Sequence, residues 1–178
     1  MASSGPNSGG TFENDATVGT VDWANPDRAV ASDDSRSTAY IGAAASTTKY
    51  LKATNFGFDI PVGATINGIL VEIEKSTYDA YVSSDYSVKI VKGGTIQGDE
   101  MALGGNWPIA GAEAYYSHGG ATILCGLSWE YSDINSSGFG VVVSASLASW
   151  ATARIDHIRI TVYYTEGAVA NTFWFGHA

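Results

Sequence analysis

Polar and apolar positions alternate along several short runs of this chain. The clearest run is residues 69–74, where Ile69, Val71 and Ile73 share one parity and Leu70, Glu72 and Glu74 the other. Side chains on a strand switch faces at every residue, so this spacing predicts a strand with one buried face. The preceding Asp59-Ile60-Pro61-Val62-Gly63 reads as a turn, because Pro61 presets φ and Gly63 accepts a positive φ. Residues 86–91 repeat the pattern, with Val88 and Ile90 inward and Ser87 and Lys89 outward. Phe139, Val141, Val143 and Ala145 form another apolar face. Ile158, Ile160, Val162 and Tyr164 form the last, opposite His157, Arg159, Thr161 and Tyr163.

Other stretches are less regular. Residues 47–58 read as an interrupted strand: Leu51 and Ala53 share one parity, and Phe56, Phe58 and Ile60 the other. A one-residue slip at Thr54-Asn55, as in a bulge, would put both sets on the core side. Residues 17–23 predict a short strand stopped at Asn25-Pro26. Residues 37–45 suit a strand or one helical turn, and residues 115–117 and 121–127 a short hairpin across His118-Gly119-Gly120. No window sustains apolar i, i+3, i+4, i+7 spacing, and the best helix candidate, residues 110–116, is short. Residues 134–153 carry no charge and are long enough for a membrane helix, but polar residues from Asn135 to Ser149 interrupt them and alternation begins at Phe139. They read as a strand. The whole pattern predicts an all-β fold, an antiparallel β-sandwich of jelly-roll type, without internal repeats.

At 178 residues the chain is expected to form one domain with its own core. Residues 1–12, rich in Gly and Ser, suggest a flexible arm without the charge and apolar core of a signal peptide. Residues 13–165 would be the sandwich, and residues 166–178 a tail carrying Phe173, Trp174 and Phe175. The net charge of −9, with nine dispersed Lys and Arg, lacks the basic footprint of nucleic-acid binding and suits a soluble surface. Cys125 is the only cysteine, so no intrachain disulfide forms; its apolar run and the absence of a nearby cation predict an inert, buried thiol.

Candidate chemistry is sparse. His118, His157 and His177 share no metal-type spacing, and His157 reads as a solvated or packed residue. Asp33-Asp34, with Asp27 and Ser35, offers oxygens but lacks the Gly and bidentate acid of an EF-hand loop, and reads as an acidic turn. Neither Ser136-Ser137-Gly138 nor Gly93-Gly94 has the context of a nucleophile elbow, and no glycine motif fits a phosphate loop. The expectation is a non-enzyme with no catalytic residues, cofactor or metal. Five Trp and ten Tyr offer either core filling or a sugar-stacking platform, although Trp23, Trp107, Trp129 and Trp150 form no stripe in sequence. An exposed Phe173-Trp174-Phe175 would invite aggregation, so the tail is expected to bury itself on its own domain or on a neighbouring subunit.

Several stretches carry a resemblance. GPNS from Gly5, VGTVDWANP from Val18 and ASDD from Ala31 look like the opening of a group of small β-rich virion structural proteins of tailed bacteriophages. YLKATNFGFDIP from Tyr50 and GATINGILVEIE from Gly63 are similar to its middle. LSW from Leu127, DINSSGFGV from Asp133 and IDHIRITVYY from Ile155 resemble its close. The similarity spans about residues 5–165 and rests on turns and core strands. It implies a non-enzymatic protein on the outer surface of the virion, made in the host cytoplasm, that decorates or cements the capsid shell. The alternatives within that class are a tail or fibre component and an end-joined filament subunit; outside it stands a carbohydrate-binding module for host attachment. The implied partners are further copies of the chain and the major capsid protein, with no nucleic acid or membrane. The expected interface residues are Phe173, Trp174 and Phe175, with Gly5, Pro6 and Asn7 of the arm. Cys125 departs from the group, where an aromatic is expected, and the chain beyond Gly167 lies outside the shared pattern.

Overall fold

The alternation at residues 69–74 lies inside a 13-residue strand, and it buries Ile69, Val71 and Ile73 completely. The computed structural model describes residues 1–78 and 82–167. In chain order the strands are β1 (Ala2–Ser8), β2 (Thr11–Asp15), β3 (Ser37–Tyr40), β4 (Ser46–Thr47), β5 (Tyr50–Thr54) and β6 (Thr65–Thr77). They continue with β7 (Ser83–Lys92), β8 (Thr95–Gln97), β9 (Ala114–Gly120), β10 (Gly140–Leu147) and β11 (Thr152–Thr165). A 3-10 turn spans Pro26–Ala29, and a single helical turn, α1, spans Tyr131–Ile134.

These strands make two antiparallel sheets packed as a β-sandwich. One runs β1-β11-β6-β9, with β3 sharing the β11 edge that β1 occupies lower down. The other runs β2-β5-β10-β7-β8, with β4 also on β10. The core lies between them. Ile155, Ile158, Ile160 and Val162 of β11 face Leu51 and Ala53 of β5, Val88 and Ile90 of β7, and Val141, Val143 and Ala145 of β10, all fully buried. Phe139 closes one end, edge-on to Trp129 at 5.5 Å and to Phe58 at 5.9 Å. Burying each such side chain stabilises the fold by about 1.5–3 kcal/mol.

Several expectations are corrected. Residues 1–12 are not a loose arm: β1 pairs with β11 from Ala2↔Tyr164 to Ser8↔Arg159, and β2 pairs with β5. Ladder hydrogen bonds come from the backbone, so a run without apolar side chains can still be held on a sheet edge, where proline is tolerated at a bulge. The interruption at Thr54-Asn55 is real, but it is a strand end rather than a bulge. Asn55 takes a left-handed φ of 59°, after which Phe56, Phe58 and Ile60 turn inward. The expected hairpin at residues 115–127 is absent, because His118 and both glycines continue β9 against β6. Residues 114–116 of the helix candidate belong to the same strand. The short strand expected at residues 17–23 is reduced to a bridge at Val21 beside the buried Trp23, and β3 occupies the start of residues 37–45. Residues 140–147 form β10, and no helix among the described residues is long and apolar enough to cross a membrane.

Candidate binding site

Thr152, at the start of β11, organises one end of the sandwich. Tyr40 at the end of β3 stands opposite it in the ladder, and the Tyr78 N–H donates to the Thr152 carbonyl at 3.0 Å. Trp150, two residues earlier, is turned by a left-handed φ of 65° and donates its N–H to the Gly42 carbonyl at 2.8 Å. The backbones of three exposed aromatics therefore meet near one position, with Tyr40 58%, Tyr78 60% and Trp150 50% exposed. Ile109, 59% exposed, joins them through its bridge to Thr77. The flanking residues 41–46 and 148–151 carry no charge. The Arg154 guanidinium lies 5.5 Å from the Tyr78 ring centroid, which fixes one ring by a cation–π contact. The three positions mark one end of the first sheet, where β3, β11 and β6 run side by side. Sequence spacing could not find it, because the three residues are separated by tens of positions.

A recessed polar group lies below the loop that precedes Ile109. The parity of β6 that sends Ile69, Val71 and Ile73 into the core also sends Lys75 there. In β7 the register slips between Ser87 and Asp85, and this bulge turns Asp85 inward opposite Ala145. Lys75 Nζ and Asp85 Oδ1 are 2.5 Å apart, each side chain only 1% exposed. Oδ1 also accepts the Trp107 indole N–H at 2.8 Å, and Oδ2 accepts the Leu103 backbone N–H at 2.9 Å. The ammonium sits 5.1 Å from the Trp107 ring and 5.0 Å from the Tyr116 ring. Gly104, Gly105 and Asn106 complete the rim of a small cleft above the pair, with room for about one water molecule. His118 Nδ1 lies 2.8 Å from the Met101 carbonyl and so carries the proton. Its Nε2 is buried without a hydrogen-bond partner among the described residues, 4.0 Å from Asp85 Oδ2. Burial pushes the Lys75 pKa below its ordinary value, partly opposed by Asp85, and burial likewise lowers His118. Lys75 was readable from its parity; Asp85 was not, because the bulge reverses its side.

The outer face of the first sheet carries a hydrogen-bonded row. His157 holds the Ser8 hydroxyl through Nε2 and the Tyr115 hydroxyl through Nδ1, both at 2.7 Å. Arg159 clamps Glu72 with Nε at 2.9 Å and Nη2 at 3.1 Å, and lies 3.8 Å over the Tyr115 ring. Ser8, His157 and Tyr115 have the connectivity of nucleophile, base and orienting group, but they lie on an open sheet face away from the cleft. What they do here is tie β1 to β11 and β9.

The acidic turn gathers more than its own residues. Asp34, Glu113 and Asp156 bring carboxylate oxygens within 4.8 Å of one another. Arg36 already bridges two of them, donating to Glu113 from Nε at 2.9 Å and from Nη2 at 2.6 Å, and to Asp34 from Nη2. The guanidinium occupies the role a cation would fill. Asp33 accepts the Ser35 N–H in a local turn, and Asp27 lies in the 3-10 turn.

The expected interface residues divide. Gly5, Pro6 and Asn7 lie in the β1 bulge against β11, and Asn7 donates to the Phe56 carbonyl at 3.0 Å, so they serve the chain's own fold. Phe173, Trp174 and Phe175 lie outside the described residues. Cys125 is buried, and burial pushes its thiol up to about 11, as an inert side chain requires.

No family model matches the sequence, and no curated protein matches it. Among solved structures, the chain is similar to TmCBM61 in complex with β-1,4-galactotriose: 12% identity, TM-score 0.43, 84% of this chain and 86% of that one. It is also similar to the CBM22-1 xylan-binding domain of Paenibacillus barcinonensis Xyn10C: 11% identity, TM-score 0.43, 94% and 95% coverage. A third is the CBM22-1–GH10 portion of Clostridium thermocellum Xyn10B complexed with xylohexaose: 8% identity, TM-score 0.39, 94% and 28% coverage. At these scores the likenesses carry no argument about what this chain binds.

Proposed function

We propose that the protein is a non-catalytic recognition module that binds an uncharged glycan at its aromatic end. The observation that carries this is the convergence of Tyr40, Tyr78 and Trp150 on Thr152, half or more of each side chain facing solvent. Flat rings pack against the C–H faces of pyranoses, and the flanking residues 41–46 and 148–151 add no charge beside Arg154. A net charge of −9 disfavours polyanionic glycans. The test is affinity electrophoresis against neutral polysaccharides with the native protein and with Trp150→Ala and Tyr78→Ala. Retardation by at least one polymer, lost by about tenfold or more in both variants while their melting is unchanged, supports the reading; tenfold is about 1.4 kcal/mol. No retardation by any neutral polymer overturns it.

A second reading keeps the virion structural role implied by the resemblance, with capsid decoration ahead of a tail or fibre position. What favours it is the run Phe173-Trp174-Phe175 in the sequence after β11, an apolar segment that would invite aggregation unless a neighbouring copy covers it. Light scattering on the full chain and on a variant with all three replaced by Ser decides it. A defined oligomer that dissociates in the variant supports the structural role, and two identical monomers remove its basis.

A further inference from the structure

Lys75 and Asp85 are held as reactants rather than as a simple ion pair, and the geometry points to an intramolecular amide between Lys75 Nζ and Asp85 Cγ. The two residues belong to opposite sheets, with β6 in one and β7 in the other. Their reacting groups are in contact at 2.5 Å, and both side chains are out of water. An ion pair buried this deeply loses the hydration of two charges and regains only their mutual attraction and a few hydrogen bonds. Among the described residues the ammonium makes one hydrogen bond, to Asp85, and it lies beside the rings of Trp107 and Tyr116. Condensation removes both charges at once.

The surroundings supply what the reaction needs. An ammonium and a carboxylate contain all the atoms of an amide and one water, so no outside reagent enters. The amine must first lose a proton, which burial favours at Lys75. Its lone pair then attacks Cγ, held in reach by the two strands, so the encounter is already paid in folding. The negative charge that develops on the carboxyl oxygens meets two fixed donors, the Trp107 indole N–H on Oδ1 and the Leu103 N–H on Oδ2. His118 Nε2 has a free lone pair facing Oδ2. It relays the protons that leave Nζ to Oδ2, which departs as water. Oδ1, still held by Trp107, becomes the amide carbonyl oxygen, and one proton stays on the amide nitrogen. His118 ends in the state in which it began, and water leaves by the cleft beside Gly104 and Gly105.

The test is a mass measurement on the purified native chain, denatured before analysis. The expected result is an intact mass lower by one water than the sequence requires, and a single looped tryptic peptide covering residues 53–89, uncut after Lys75 and lighter by one water. Asp85→Asn, which keeps the shape, is expected to lose one ammonia instead, since its leaving group is nitrogen. Lys75→Met is expected to show the full sequence mass. His118→Gln is expected to leave a fraction unlinked at harvest that closes on incubation, a time course that a purely structural role for the imidazole does not produce. A native chain of full mass that yields the two linear peptides, fresh and after prolonged incubation, overturns the inference whatever the variants do.

Discussion

The Ser8 hydroxyl lies 2.7 Å from His157 Nε2, so the first strand of the chain is fastened to the last by a titratable group. Burial, then the neighbouring Arg159, push the His157 pKa below its ordinary value, against Glu74 and Glu72; burial lowers His118 in the same direction. The unfolded chain therefore binds more protons than the folded one just below the ordinary value of 6.5. Stability rises with pH across that window and is lost as pH falls from 6.5 toward the folded-state values. Asp156, raised by burial, titrates with the opposite sign in more acid solution. Thermal melting is expected to be lower at pH 5.5 than at pH 7.5, and His157→Gln is expected to flatten that difference. Equal midpoints in the native protein would contradict it.

Gly5 is predicted to be irreplaceable. Its φ of +104° lies where L side chains are strained, and an added Cβ would stand 2.5 Å from the Ile160 carbonyl oxygen. Gly5→Ala is expected to destabilise by about 1–3 kcal/mol in urea unfolding, through β1 alone. An unchanged midpoint would mean that the bulge relaxes freely.

Phe139 is predicted to be the most costly aromatic to truncate. It is fully buried and edge-on to Trp129, Phe58 and Phe56 at once. Phe139→Ala is expected to cost about 3–5 kcal/mol, most of it from the cavity left at that end of the core. Denaturant midpoints compared with those of Trp150→Ala make the contrast, since the exposed Trp150 is expected to be nearly silent in stability.

Cys125 is expected to resist thiol reagents. Burial holds its pKa at about 11 and closes access, so labelling at pH 8 should be negligible until denaturant is added. Rapid stoichiometric labelling of the folded protein would show that residues 121–127 open readily.

Parity carried most of the fold. Ile69, Val71, Ile73, Val88, Ile90, Phe139, Val141, Val143, Ile158, Ile160 and Val162 all point where alternation places them, because a two-residue period leaves only two choices of face. It failed where the backbone breaks that period or where pairing ignores side chains. The bulge at Tyr86 reverses Asp85, which hides the charged pair even though the parity of Ile69, Val71 and Ile73 extends to Lys75. β1, and the continuation of β9 from residues 115–117 through His118 and its two glycines, escape the pattern because Ser, Gly and His donate ladder bonds as well as Val does. The aromatic end depends on Thr152 bringing three distant segments together, and no local pattern encodes such a meeting. The Arg36 bridge to Glu113 spans 77 positions for the same reason.

β1 and β3 share one side of β11, and only β1 covers its residues 159–164. Trimming the first eight residues would bare a row of unpaired backbone donors and acceptors on the longest strand of the molecule. Such a row is a template. A shortened chain would recruit the missing strand from another copy, or from any extended peptide that fits, and a self-contained molecule would become a concentration-dependent acceptor of foreign strands.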